Sequence, residues 1–203
     1  MKKNKISKEW INRQHRDIYF KKSKQEGFRS RAVYKLQEIN DKHKVLKNGL
    51  SVIDLGAAPG GWSQFVTHKY KNCKLLSIDI KKMHPIGNSY QIIGDFNEKS
   101  SKEKIITYFN EKVDLVMSDM AVNTTGNKNL DSVVTGELCL EALRFAKDQL
   151  KPNGSFVSKI FMGSTFNEIV GEAKLTFKEI NIYKPPSSRK ESKESFIICK
   201  KLR

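Results

Sequence analysis

Residues 51–65 read SVIDLGAAPGGWSQF: five residues of apolar strand pattern run straight into Gly56, Gly60 and Gly61, with Pro59 between them. Bare backbone after a strand admits a ligand close to the main chain and permits positive φ. In a doubly wound sheet, ligands sit outside the carboxyl ends of the strands, and this is the first such end. Two familiar loops fit poorly. A phosphate-binding loop needs GxxxxGK[ST], but Trp62-Ser63 follow these glycines. The dinucleotide fingerprint GxGxxG is matched only in part, because Ala58 holds its middle glycine position and Pro59 adjoins it.

Working outward, short apolar runs recur at 51–55, 75–80, 90–93, 113–118, 155–161, 179–183 and 195–199. Helical patterns fit between most of them, at 61–70, 99–110, 131–150 and 165–176, and Lys-Pro-Asn-Gly at 151–154 reads as a helix stop. A further helix is expected from Ser30, which can cap it, with Val33, Leu36 and Ile39 on one side and Arg31 and Lys35 sharing a face. Strand–helix alternation means an α/β fold: a Rossmann-like, seven-stranded, mostly parallel sheet with helices on both faces. Only a Pro/Ser/Lys loop joins the last two strands, so they form a C-terminal antiparallel hairpin. Residues 1–28 are polar and basic and read as an arm or short helix before a core at 29–203, within a single domain.

Three acids follow three successive strands. Asp79, 23 residues after Gly56, ends the second strand, where a carboxylate can accept both hydroxyls of a ribose. Gly94-Asp95-Phe96 ends the third, where an acid can accept from an adenine amino group and an aromatic can pack on its ring. Each aspartate alone could be a turn residue or a cap. Together with the glycine loop, they favour an adenosine ligand without a pyrophosphate.

The run SFVSKIF, 155–161, places Lys159 in a central strand, where desolvating an ammonium costs several kcal/mol unless it is paired. Lys159 either snorkels to water from a strand end or has a partner and a role. Asp119, ending the fourth strand, is the expected partner, beside the glycine loop.

Composition bounds the partners. Lys and Arg total 38 against 22 Asp and Glu, a formal charge of +16 over 203 residues. Such a surface attracts phosphate backbones. Cys73, Cys139 and Cys199 are scattered, and His15, His43, His68 and His84 show no ligand spacing, so neither a disulfide framework nor a metal site is expected. No apolar run approaches 18 residues, so no membrane span is expected.

The chain resembles the FtsJ/RrmJ family of RNA ribose 2′-O-methyltransferases. The pieces that carry the resemblance are residues 10–36, DLGAAPGGWSQ at 54–64, Asp79, GDF at 94–96, SDMAVNTTG at 118–126, NGSFVSKIF at 153–161 and SSRKESKESF at 187–196. Val122 departs from the family pattern, which usually has proline there. The resemblance implies a catalytic set of Lys35, Asp119, Lys159 and Glu194, with Lys159 as a base or as a charged group orienting the hydroxyl. It implies S-adenosyl-L-methionine as cofactor. Gly60, Trp62, Asp79, Asp95 and Asp119 are the family's contacts to it, and Gly56, Pro59, Gly61 and Phe96 complete the expected site. The implied partner is large-subunit ribosomal RNA, free or in the assembled subunit, with a uridine of the A-loop as target and a monomer as the acting form. Transfer RNA is the alternative substrate. A non-catalytic ribosome-assembly factor and an NAD-dependent oxidoreductase are the alternative functions. A bacterial setting implies the cytoplasm; a eukaryotic one implies mitochondria, another organelle or the nucleolus, with a leader absent from this chain. Basic residues at both ends (Arg13, Arg16, Lys21, Lys22, Lys24, Arg29 and Arg31, then Lys184, Arg189, Lys190 and Lys193) are expected to flank the active edge and grip phosphates.

Overall fold

A computed structural model describes residues 17–121 and 128–203. Its elements in chain order are α1 (Ile18–Gln25), α2 (Val33–His43), β1 (Ser51–Leu55), α3 (Gly61–Lys69), β2 (Lys74–Asp79), β3 (Tyr90–Ile93) and α4 (Lys99–Phe109), followed by β4 (Val113–Ser118), α5 (Lys128–Gln149), β5 (Leu150–Phe161), α6 (Phe166–Thr176), β6 (Phe177–Tyr183) and β7 (Glu194–Leu202). The seven strands form one sheet in the order β3-β2-β1-β4-β5-β7-β6. The first five are parallel, and β7 runs antiparallel to both β5 and β6. The dinucleotide-binding order 3-2-1-4-5-6 is thus interrupted by one reversed strand.

The core follows from period-two alternation. Ile53, Leu76, Val116, Phe156 and Ile197 face one side and pack with Ile105, Leu143 and Ile169 of α4, α5 and α6. Their sequence neighbours Val52, Leu75, Leu115, Val157 and Ile198 face the other and pack with Leu36 of α2 and Trp62 and Val66 of α3. Every residue of β1 is buried, as a central parallel strand requires.

Two local expectations are corrected. Ser30 does not cap α2: Ala32 holds that position without a side-chain bond, and the Ser30 hydroxyl is buried without a partner among the described residues. It lies against Gly61, where a Cβ would come within 2.4 Å of Ser30 Oγ. The segment 151–154 ends α5 as expected but belongs to β5. Pairing jumps from Val113↔Leu150 to Leu115↔Ser155, so four residues bulge opposite Asp114. Asp114 stabilises this bulge by accepting twice from Lys151 Nζ, both at 3.0 Å.

Register sets the active edge. Leu55 pairs with both Ile78 and Ser118, so β1, β2 and β4 end level and the glycine loop sits between Asp79 and Asp119. Gly56 has φ +70, and a Cβ there would lie 2.3 Å from Met120 Cγ and 3.1 Å from Met120 Cα. Gly56→Ala is therefore expected to lower stability by about 2 kcal/mol or more, since the left-handed backbone alone costs about 1–2 kcal/mol. A urea midpoint unchanged from wild type would refute this.

Candidate active site

Four charged side chains meet at the carboxyl edge. Ser118 pairs with Ser158, which brings Asp119 beside Lys159 one residue further on. Lys159 is 7% exposed. Its Nζ donates to the Asp119 backbone oxygen at 2.7 Å and to Asp119 Oδ1 at 3.0 Å. Phe161 pairs with Glu194, so Glu194 opens β7 diagonally across from Lys159 on the same sheet face. Lys35, reaching in from α2, donates to Glu194 Oε2 at 2.8 Å and lies 4.0 Å from Asp119 Oδ1. Lys159 does not snorkel to water; it is paired, and two ammoniums face two carboxylates.

The electrostatics follow from this balance. Burial would raise the Asp119 carboxyl, but the Lys159 and Lys35 ammoniums outweigh it and hold the group below its ordinary value. Burial would likewise lower Lys35, but Asp119 and Glu194 outweigh it and raise its pKa.

Glu194 is held on both oxygens, since Oε1 accepts from Ser188 Oγ at 2.8 Å. The loop 184–193 that carries Ser188 is fastened to the helices. Glu38 Oε2 accepts from Ser187 N at 2.9 Å and Ser187 Oγ at 2.7 Å. Arg31 pairs with Asp17, the N-cap of α1, and also donates to the Ser187 carbonyl. The sequence reading missed this clamp because its members lie about 150 residues apart along the chain.

Beside the tetrad, a cavity of about 430 Å³ is lined by Gly56, Asp79, Asp95, Phe96 and Asp119, together with Met120 and others. That volume suits a nucleoside-sized ligand. Asp79 Oδ2 accepts from Ala58 N at 2.9 Å and Oδ1 from Lys81 N at 2.8 Å, which orients the carboxylate at the rim. Asp95 is exposed and braced by Asn97 N at 2.9 Å. Sequence reasoning missed Ile80, Asn97 and Leu138 on the lining. Position just after a strand end could have marked Ile80.

Not every expected cofactor residue reaches this cavity. Trp62 is buried beneath the loop, donating Nε1–H to the Ala32 carbonyl at 2.8 Å, with its ring 5.8 Å from that of Phe196. Gly60 and Gly61 shape the turn into α3. Gly60 has φ +103, and a Cβ there would meet Ile86 Cδ1 at 2.4 Å. Pro59 faces a neighbouring depression with Arg29 and His84.

Below the loop, Asp54 is 1% exposed. Its Oδ2 accepts from Ser63 Oγ at 2.6 Å, and that hydroxyl lies 2.6 Å from Ser77 Oγ. Burial, partly offset by Ser63 and reinforced by the charges of Asp119 and Asp79, pushes the Asp54 pKa up to about 7 from 3.8. A carboxyl raised in the folded state binds its proton more tightly there than when unfolded. Its stabilisation is full below the unfolded value and is lost as pH rises through the folded one. Wild type should therefore lose stability between about pH 4 and pH 7 relative to Asp54→Asn, measured by urea unfolding. A pH-independent difference between the two would contradict the assignment.

Several of the basic residues expected to grip phosphates are engaged within the protein. Arg29 donates to the carbonyls of His84 and Pro85, each at 2.6 Å, and so organises the loop after β2. Arg31 is half-buried in the clamp, where Arg189 also reaches Asp17 at 3.7 Å. Lys22 pairs with Glu26 at 3.8 Å, and Lys184 donates to the Lys190 carbonyl at 3.2 Å. Lys21, Lys190 and Lys193 have no carboxylate partner among the described residues. Arg13, Arg16 and Val122 lie outside the described residues. Among the described residues, no cluster of three or more His, Cys, Asp or Glu could hold a metal ion, and no helix is long and apolar enough to cross a membrane.

A doubly wound sheet with one reversed strand, a glycine loop beside a nucleoside-sized cavity and a Lys-Asp-Lys-Glu tetrad at its edge belong together in one class. The chain is a member of the FtsJ-like methyltransferase family, whose family model matches residues 28–202. A curated relative from Pelagibacter ubique, named ribosomal RNA large subunit methyltransferase E, is 59% identical over 203 residues, 100% of both chains. One of the same name from Legionella pneumophila is 42% identical over 98% of each chain. A Plasmodium falciparum crystal structure described as a ribosomal RNA methyltransferase superposes with a TM-score of 0.76 at 32% identity, covering 86% of this chain and 98% of that one.

Proposed function

We propose that this protein transfers a methyl group from S-adenosyl-L-methionine to the 2′-hydroxyl of a ribose in large-subunit ribosomal RNA, with a uridine of the A-loop as target. The observation that carries the reading is the convergence of Lys35, Asp119, Lys159 and Glu194 at the mouth of the glycine-loop cavity. The names of the bacterial relatives support ribosomal over transfer RNA, and support a bacterial cytoplasmic setting. A single domain acting as a monomer is the form we propose for this chemistry.

The cavity fits the cofactor. Asp79 would accept from the ribose hydroxyls and Asp95 from the adenine amino group, with Phe96 beside the ring. Gly56 leaves room where any side chain would strike Met120. Gly60, Gly61 and Trp62 act from beneath, by shaping and supporting the loop. The cofactor supplies a methyl group on a sulfonium, which is already a good leaving group. The protein's task is to align the ribose hydroxyl and take its proton.

Lys159 suits that task by the count of its bonds. Its ammonium gives two of its three N–H groups to Asp119; once the third proton is lost both contacts can remain, and the lone pair so exposed would accept the hydroxyl proton. Lys35 and Glu194 hold the ribose and its neighbours. A non-catalytic assembly factor would have no need of this constellation. The reversed strand and the incomplete glycine fingerprint count against an oxidoreductase. The test is to offer labelled adenosylmethionine with unmodified large-subunit RNA and, separately, unmodified transfer RNA. Label is expected in the first. Retention of NAD instead of adenosylmethionine, or label in transfer RNA alone, would overturn the respective part of the reading.

A further inference from the structure

A basic groove lies at the edge of the sheet opposite the tetrad. It has a volume of about 540 Å³ and is lined by Lys44, Lys47, Lys151 and Lys200, with Asn153 and Ser155 among its polar groups. Asp114 is the one carboxylate on its lining, and it is already engaged by Lys151 Nζ and by Ser51 N at 2.9 Å. Lys200 donates to the His43 carbonyl. Lys44 and Lys47 are exposed and have no carboxylate partner among the described residues. Four lysines against one carboxylate leave an excess of three positive charges. Two of the four, Lys44 and Lys47, come from the run KHKVLK, residues 42–47, at the end of α2, and these two play no part in the tetrad, the clamp or the cofactor cavity.

Ser155 opens onto this groove, and Lys159 stands four residues along the same strand, about 13 Å away at the usual rise of about 3.3 Å per residue. The two sites therefore occupy opposite edges of one rigid sheet.

We propose that this groove binds the phosphate backbone of the RNA substrate at a place distant from the methylated ribose, so that the RNA is held on two edges of the domain. The inference rests on the ribosomal RNA reading above. The groove is open, and its free cations are flexible lysines. That arrangement suits a polyanion tracked by point charges more than a small anion, which would need enclosing donors of fixed geometry. Contacts of this kind position a substrate and carry no sequence information.

The test uses the full chain and the double variant Lys44→Asn/Lys47→Gln. Asparagine tolerates the left-handed backbone of Lys44, where φ is 52. Binding is measured across a salt series with two RNAs: a stem-loop just large enough to present one target ribose, and a long unmodified fragment of large-subunit RNA. On the long RNA, the variant should bind more weakly, and the slope of log K against log salt should be shallower by about 1.4–1.8, from two lost phosphate contacts. On the stem-loop, binding and methyl transfer should match wild type. No change on the long RNA would overturn the proposal. So would an equal loss on both RNAs, which would place these charges in a general field or near the catalytic edge. A urea midpoint equal to wild type confirms that the variant is folded. If wild type binds both RNAs but methylates neither, the proposed reaction falls, and the salt slopes still decide the groove.

Discussion

Lys159→Ala is expected to lower the rate of methyl transfer by about a thousandfold, within the range of about 10²–10⁴ for loss of a positioned acid–base group. Cofactor binding should survive, because Asp79, Asp95, Phe96 and the glycine loop are untouched. A modest loss is expected through Asp119, which lines the same cavity and would keep only the Lys35 ammonium, 4.0 Å away. Lys159→Arg separates the two roles open to this residue. A guanidinium restores the positive charge but cannot be deprotonated in a protein. If Lys159 is the base, Lys159→Arg should be about as inactive as Lys159→Ala. If it works as a charged orienting group, Lys159→Arg should recover much of the rate. Single-turnover kinetics at saturating cofactor would read the difference, and near-wild-type transfer by Lys159→Ala would remove this residue from the chemistry.

Asp119→Asn should have the largest effect on stability and also abolish activity. The wild-type tetrad is balanced, with two ammoniums facing two carboxylates. The variant leaves Lys35 its bond to Glu194 but takes from Lys159, 7% exposed, the one carboxylate it contacts among the described residues. Removing one partner from a buried ion pair typically costs about 3–5 kcal/mol, because the remaining charge is left uncompensated. The pH dependence carries the sign. Despite burial, which opposes it, Lys159 and Lys35 hold the Asp119 carboxyl below its ordinary value of 3.8. A depressed carboxyl contributes stability that is present above the unfolded value and lost as pH falls through the folded one. The gap between wild type and Asp119→Asn in urea unfolding should therefore be widest near neutral pH and narrow in acid. A gap that is absent, or equal at neutral and acid pH, would contradict the balance.

The sheet was legible because each central strand is a continuous apolar run, and its order placed the acids at one edge. Lys159 was legible for the opposite reason: a lone cation in such a run stands out, and its partner had to come from a neighbouring strand end. Lys35 and Glu194 were not legible from patterning. They lie 159 residues apart and meet only because β7 inserts next to β5 and starts at the active edge. Only the family resemblance pointed to them. Charge was misread in detail. Arg29 and Arg31 looked like phosphate ligands, yet both are engaged with carbonyls and carboxylates of the fold itself. Charge alone does not reveal whether a basic residue is already paired. Ser30 failed similarly. Ser30 has the chemistry of a cap, but its hydroxyl is buried against the start of α3. Trp62 follows the glycines, but helix geometry turns it into the core.

The central claim is that a ribose oxygen receives the methyl group. It is tested most directly by digesting labelled large-subunit RNA to nucleosides and identifying the product by mass spectrometry, with wild type and Lys159→Ala in parallel. The account predicts a 2′-O-methyluridine in the wild-type sample and none with the variant. A nucleoside methylated on its base, or a 2′-O-methyl product undiminished in Lys159→Ala, would contradict it.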